Sequence, residues 1–294
     1  MKILNFGSCC IDNVYAVPHF VQPGETLSST DFNIYPGGKG LNQSIALARA
    51  GATVQHAGKI GQDGIWLKDL LTAAGVDSSR LQIGDGPSGH ANIQVSASGE
   101  NAIVIVGGTN RQITPDDFDD AFSGTEAGDF LLLQNEVSHL KDIMTEGHRR
   151  GLRMVLNAAP MTPEVLTFPL EFLEFLIVNE TEAAMLLEQD IVAVPTADLD
   201  KKLASRFPGM KIVLTLGQSG VVYRHGDAIV QQAAFAVKAL DTTGAGDTFT
   251  GYFLAAVMRG EEIQTCLEQA SKAASIAVTR AGAATSIPDR SELG

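Results

Sequence analysis

Short apolar runs alternate with stretches of helical period over most of the chain. Runs at residues 2–6, 54–60, 130–133, 153–157, 175–178 and 211–216 have the length of buried strands, and segments at 41–50, 139–150 and 180–189 repeat their apolar positions at helical spacing. That alternation predicts an α/β protein with a mainly parallel sheet and helices on both faces, with ligands bound outside the carboxyl ends of the strands. After about Gly246, two more helices, over 247–259 and 262–280, close the chain.

One region breaks the alternation. Ala91, Ile93, Val95 and Ala97 alternate with Asn92, Gln94 and Ser96, and a turn at 98–101 leads into an apolar run at 102–106. The pattern predicts a hairpin with one face covered. Together with residues 15–34, rich in Val, Thr and Phe and broken by Pro23-Gly24, it can form a small sheet. An edge extension of the main sheet and a lid over the ligand site fit the pattern equally. No internal repeat, low-complexity segment or long linker divides the chain, so 1–294 is expected to form one domain.

Composition narrows the function. With 294 residues, 45% hydrophobic and 19% charged, the chain is globular and can bury a sizeable core. A formal net charge of −13 excludes a sequence-independent nucleic-acid binder, so an anionic ligand must be held by local devices. Cys9, Cys10 and Cys266 form neither a disulfide framework nor a Cys-x-x-Cys metal site. With no signal-peptide core and no apolar stretch near the roughly 20 residues needed to span a bilayer, a cytoplasmic protein without membrane contact is expected.

Gly84-Asp-Gly86-Pro-Ser-Gly89 has dinucleotide-loop spacing, but it carries Pro87 and leads into the alternating hairpin, so it is expected to be a turn. Walker, His-Glu-x-x-His and Gly-x-Ser-x-Gly motifs are absent, and the six histidines have no metal-ligand spacing. Four stretches carry candidate chemistry. Pro36-Gly37-Gly38-Lys39-Gly40-Leu41-Asn42 precedes a helix expected over 43–50, where amides and one cation can hold an oxygen-rich ligand or simply form a glycine-rich cap. Asn179 and Glu182 have capping-box spacing at a strand-to-helix junction. Thr215 to Gly220 ends an apolar strand in a turn, either an ordinary hairpin turn or a place of close backbone approach to a ligand. In Asp241-Thr-Thr-Gly244-Ala-Gly246-Asp247, the final carboxylate either caps a helix or stands beside a phosphate.

Taken in order, Gly37-Gly38-Lys39-Gly40-x-Asn42, Asn179-x-x-Glu182, Thr215-Leu-Gly217-x-x-Gly220 and Asp241-Thr-Thr-Gly244-Ala-Gly246-Asp247-Thr-Phe resemble the ribokinase-like (pfkB-type) carbohydrate kinases over essentially the whole chain. Pro23-Gly24-Glu25-Thr26 and Ile276-Ala-Val-Thr-Arg280-x-Gly282-Ala are similar to the ribokinase branch. The resemblance implies a three-layer α/β sandwich with a β lid over about 12–35 and 89–107, which pairs with the lid of a second subunit.

The same resemblance implies a role for each motif. Asp247 would be the base toward a sugar hydroxyl, and the amides of Gly244, Ala245 and Gly246 an anion hole. Cys10, Asp12, Gly38, Lys39, Asn42 and Glu136 would hold the sugar. Thr215, Gly217, Gly220 and Ser271 would line the ATP site, with Asn179 and Glu182 organising Mg²⁺ through water. Asp241, the Thr243 carbonyl and Ser286 would hold a monovalent cation, K⁺.

An aspartate of reference pKa about 3.9 is too weak to ionise an alcohol in advance, so Asp247 need only orient the hydroxyl and accept its proton as the P–O bond forms. Two positions depart from the family: Cys10 stands where ribokinases have an asparagine, and Ser271 where they have a histidine near adenine. The expected activity is ATP-dependent phosphorylation of a small sugar, with D-ribose first. Another sugar, a nucleoside, or a non-catalytic sugar sensor are the alternatives.

Overall fold

The computed structural model describes residues 1–189 and 196–294. Seven strands pair in parallel: β1 (Ile3–Phe6), β4 (Val54–Ile60), β5 (Asp77–Ile83), β8 (Phe130–Gln134), β9 (Arg153–Asn157), β10 (Leu173–Asn179) and β11 (Lys211–Thr215). The hairpin of β12 (Val221–His225) and β13 (Ala228–Gln232) adds an antiparallel edge. The resulting order is β13-β12-β11-β10-β9-β8-β1-β4-β5. Sequence pattern misses β5 because only Ser78 and Leu81 of this edge strand are buried, which leaves no apolar run to read.

Side chains alternate across each central strand, so Ile3, Leu132, Val155 and Ile177 enter one core while Leu4, Leu131, Leu156 and Leu176 enter the other. The first core is closed by α1 (Lys39–Arg49), α2 (Ile65–Ala73), α7 (Ala245–Met258) and α8 (Ile263–Ala277). The second is closed by α3 (Phe118–Ala121), α4 (Leu140–Arg149), α5 (Glu180–Leu186) and α6 (Thr196–Arg206). This is the three-layer α/β sandwich expected from the chain. Among the described residues no helix is long and apolar enough to cross a membrane.

A separate four-stranded sheet, ordered β3-β2-β6-β7, is built from β2 (Cys10–Val17), β3 (Asp31–Gly37), β6 (Gly89–Ser96) and β7 (Asn101–Val106). The hairpin is therefore not an extension of the main sheet. Its expected covered face is covered only in part: on β6 Ala91 is buried and Ile93 and Val95 half-buried, but on β7 Ile103, Val104 and Ile105 are 48%, 65% and 67% exposed among the described residues. Both faces of β7 stand clear of the two cores. Gly84 to Gly89 links β5 to β6 and opens no helix, as expected for a turn.

Helix α1 begins at Lys39, four residues before the expected start, so Lys39 and Asn42 lie in its first turn rather than ahead of it. Gly40 allows this start. A Cβ there would overlap the Ser8 nitrogen and stand 2.5 Å from the Gly7 carbonyl carbon. Leu41 N donates to the Ser8 carbonyl at 2.8 Å, pinning the helix to the end of β1.

Helix α7 crosses α1 as closely at Gly251, where a Cβ would overlap the Ala46 methyl and come within 2.8 Å of Leu47 N. One turn earlier on each helix stand Asp247 and the pair Asn42 and Gln43. The crossing therefore places these three side chains against one another. Gly251→Ala should cost about 1–3 kcal/mol through overpacking, read as a lower midpoint in denaturant unfolding. An unchanged midpoint would show that the helices can separate freely.

Candidate active site

Asp247 occupies the first turn of α7, but the N-cap is Gly244 at φ 74° and no side chain caps the helix. Capping is therefore not what the Asp247 side chain does. Its carboxylate, 7% exposed, turns to α1, where Oδ2 accepts from Asn42 Nδ2 at 2.9 Å and Oδ1 from Gln43 Nε2 at 2.8 Å. Ala245 N donates to the Thr242 carbonyl at 3.2 Å and Thr248 N to the Gly244 carbonyl at 2.8 Å. The amides of Gly244, Gly246 and Asp247 find no acceptor among the described residues. Gly246 is exposed, and a Cβ there would meet nothing within 4 Å. Unpartnered amides beside open space at a helix start suit an anion.

Around this loop the chain gathers charges. The Asp247 carboxylate holds the Lys39 ammonium above its ordinary pKa against the effect of burial, with Glu136 and Glu182 adding to it. Lys39 N donates to Glu136 Oε2 at 2.9 Å, and Ser8 Oγ bonds the same oxygen, so Glu136 sits on the N-terminus of α1. Asp12, on β2, is pushed up to about 6 by burial and then by the Glu136 charge. Gly37 makes room for it, since a Cβ there would overlap the Asp12 carboxylate.

Burial, then Glu136 and Asp12, keep the Cys10 thiol protonated, with Asn110 Nδ2 at 3.4 Å from its sulfur. Gly38, at φ 93°, is the N-cap of α1. Asn42 Oδ1 is buried without a hydrogen-bond partner among the described residues.

At the carboxyl ends of β10 and β11, Asn179 and Thr215 are register partners. The capping box is complete: Glu182 N donates to Asn179 Oδ1 at 2.9 Å, and Asn179 N and Nδ2 donate to Glu182 Oε2 and Oε1 at 2.9 and 3.0 Å. Burial raises the Glu182 pKa, and its charge still couples to Lys39 and Asp247. The Thr215 hydroxyl donates to the Val178 carbonyl at 3.3 Å. Beyond it Gly217 adopts φ 53° with open space at its Cβ, while a Cβ on Gly220, at φ 99°, would overlap the Gln232 carbonyl of β13. Ser271 lies half-buried on α8, which packs along β13.

Asp241 staples the loop before α7 to the chain's last turns. Its Oδ1 accepts from Thr243 N and Oγ1 at 2.9 and 2.6 Å and its Oδ2 from Gly282 N at 2.8 Å. Burial works against its ionisation, but these bonds hold its pKa below the ordinary value. Ser286 makes no bond to Asp241; its buried hydroxyl donates to the Ala283 carbonyl at 2.8 Å.

Sequence reasoning missed Gln43, Ser8 and Asn110. The available signal was a polar pair, Gln43-Ser44, inside an otherwise apolar helix, where each polar group must find a partner.

Moving a phosphoryl group onto an alcohol demands placement, a proton acceptor and stabilisation of charge on the phosphoryl oxygens. Asp247 beside free helix-start amides, on a three-layer α/β frame, meets that demand, and the class it defines is a phosphotransferase acting on a hydroxyl. The profile of the pfkB family carbohydrate kinases matches residues 1–290, and the chain belongs to that family. It is 36% identical to a ribokinase of Bacillus subtilis over 297 residues, covering 99% of this chain and 98% of the relative. Its structure is similar to a ribokinase from Cryptococcus neoformans in complex with ADP, with TM-score 0.86, 35% identity and 99% and 98% of the two chains covered. The Arabidopsis thaliana ribokinase complexed with ribose and ATP aligns with TM-score 0.85, 27% identity and coverage of 99% and 97%.

Asp12 allows a pH test. Its folded pKa of about 6 lies above the ordinary aspartate value of 3.8, so between those values the folded state keeps a proton that the unfolded state has released. Its contribution to stability therefore falls as pH rises through that window, and the penalty is complete above it. Asp12→Asn should raise the melting temperature of the sugar-free protein above pH 6, with the gain shrinking toward pH 4. A pH-independent difference between the two proteins would remove the buried-carboxylate account.

Proposed function

We propose that this chain transfers the γ-phosphoryl group of ATP to a hydroxyl of D-ribose, forming ribose 5-phosphate. The observation that carries the reading is the Asp247 carboxylate, fixed by Asn42 and Gln43 beside amides that have no acceptor. The complexes of the Cryptococcus and Arabidopsis proteins with ADP and with ribose and ATP support the choice of nucleotide and sugar.

In this reading Asp247 orients the acceptor hydroxyl and takes its proton, while the amides of Gly244 and Gly246, joined by that of Ala245 if its bond to Thr242 yields, receive charge developing on the phosphoryl oxygens. Lys39, held cationic, offsets the surrounding carboxylates. Asp12, Glu136, Gly38 and the free Oδ1 of Asn42 supply acceptors for sugar hydroxyls. Thr215, the open backbone at Gly217, Gly220 and Ser271 line the nucleotide site.

Mg²⁺, bound with the nucleotide, neutralises phosphate charge. Each Glu182 oxygen already accepts one bond within the capping box, so Asn179 and Glu182 suit a contact through water. Asp241, the Thr243 carbonyl and Ser286 would hold K⁺ beside the anion hole.

Cys10 favours a second reading within the same chemistry. A thiol is a weak donor and acceptor, so a sugar hydroxyl facing it gains little, and a pentose lacking that hydroxyl, another sugar or a nucleoside becomes a competing acceptor. We read 1–294 as one kinase domain in the cytoplasm, where ATP is abundant and three free cysteines persist. The small sheet serves as its lid. Ile103 and Ile105 share a face with Val14 and Asp12 through the strand register, and we assign that apolar face to pairing with the lid of a second copy.

ADP release should be fastest on D-ribose in a panel with 2-deoxy-D-ribose, hexoses and nucleosides, should need Mg²⁺, and should rise when K⁺ replaces Na⁺. No turnover on any acceptor would favour a sugar sensor. Asp247→Asn should lower turnover on the order of 10²- to 10⁴-fold with folding intact. Sedimentation velocity should find a dimer that Ile105→Asp converts to monomer, and a monomeric wild-type chain would rule out the lid pairing.

A further inference from the structure

We infer that Gln43 is a positioning residue for Asp247, and that a file of buried amides behind it fixes which end of the Gln43 amide faces the base. This rests on the reading of Asp247 as the base. Gln43 is fully buried, and both polar atoms of its side chain are engaged within the chain. Its Nε2 donates to Asp247 Oδ1 at 2.8 Å and to Asn157 Oδ1 at 3.2 Å, and its Oε1 accepts from Gln134 Nε2 at 2.7 Å. Gln43 thus acts on the reaction only through Asp247.

The direction of these bonds is set at two backbone carbonyls, which can only accept. The Gly40 carbonyl takes a bond from Asn5 Nδ2 at 2.8 Å, so Asn5 Oδ1 faces the other way and accepts from Gln134 Nε2 at 3.0 Å. Gln134 then also presents N–H to Gln43 Oε1. On the other side, the Ile177 carbonyl takes a bond from Asn157 Nδ2 at 3.3 Å, which leaves Asn157 Oδ1 toward Gln43 Nε2. A reversed Gln43 amide would set its oxygen against two oxygens and its nitrogen against the Gln134 nitrogen. Only the donating orientation toward Asp247 keeps every hydrogen bond along the file, although Gln134 Oε1 is buried without a partner among the described residues.

Two donors on two different oxygens hold the Asp247 carboxylate against rotation. Asn42 is one of them, but its Oδ1 is buried without a partner among the described residues, so its amide is tied at one end only. Gln43 supplies the anchor that substrate does not touch. Its contribution is therefore to the alignment of the base and not to the affinity for sugar or nucleotide.

The test compares Gln43→Met, which keeps length but removes the donor, with Gln134→Met, which unlocks the amide without touching Asp247. Gln55→Met serves as a control, since Gln55 is a buried amide on β4 bonded to Asp77 and outside the file. Turnover is expressed per sugar-binding site counted by calorimetry, so that loss of folded protein does not enter. Gln43→Met should lower kcat about 10- to 100-fold, with KM for both substrates within about twofold of wild type.

Gln134→Met should show a smaller loss in kcat alone, and Gln55→Met none. Should Gln43→Met fail to fold, Gln134→Met decides by the same criterion. Wild-type kcat in these variants, or a loss carried by KM, overturns the positioning role. Asp247→Asn, measured in parallel, separates the two ideas: turnover retained there removes the base itself, whereas turnover lost there and kept in Gln43→Met removes only the role of Gln43.

Discussion

The crossing of α1 and α7 at Gly251 is the contact on which the rest of the site depends. Two helices that begin at opposite ends of the sequence meet with no side chain from α7 between them, Gly251 lying against Ala46 and Leu47. Because side chains one turn apart share a helix face, this approach puts Asp247 opposite Asn42 and Gln43. The start of α1 is itself set by the contact of Gly40 with Gly7 and Ser8 at the end of β1. The parallel sheet thus determines where the helix begins, and the helix determines where the Asp247 carboxylate is held.

Electrostatics in the site follow from a chain with a formal charge of −13. In the proposed reading, anion binding falls to backbone amides and one lysine rather than to a surplus of cations. Lys39 offsets Asp247, Glu136 and Glu182, while Asp12 is held half-buried near another carboxylate. A half-buried carboxylate with a raised pKa costs stability above about pH 6, and hydrogen bonds donated to its charged form would offset that cost. The unpartnered Asn42 Oδ1 is a second group of this kind. In the proposed reading, both are groups whose hydrogen bonding a sugar would complete.

Periodicity made the central strands and the later helices legible, because each is buried on both faces or on a clear stripe. Edge strands were less so. In β5 alternate side chains meet solvent, and in β7 every side chain is exposed, so the alternation of the hairpin no longer indicates which face is covered. The starts of helices were misplaced where glycine precedes them: Gly38 and Gly40 read as loop residues, yet their lack of a Cβ is what allows α1 to begin against β1. Asn179 and Glu182 show the opposite case, where capping-box spacing is a local rule and the bonds form as read.

By itself the sequence determined the layered architecture, the family, and which loops carry chemistry, because these depend on local pattern and on short motifs whose spacing a single turn enforces. Tertiary structure alone decided how those loops work together. Asp247 and Gln43 are 204 residues apart in the chain, and the bond between them exists only because two helices cross at a glycine. Likewise the direction of the Gln43 amide is set by the carbonyls of Gly40 and Ile177, through neighbours on three other strands. Hydrogen-bond polarity inside a core is a property of the whole network, and no window of sequence contains it.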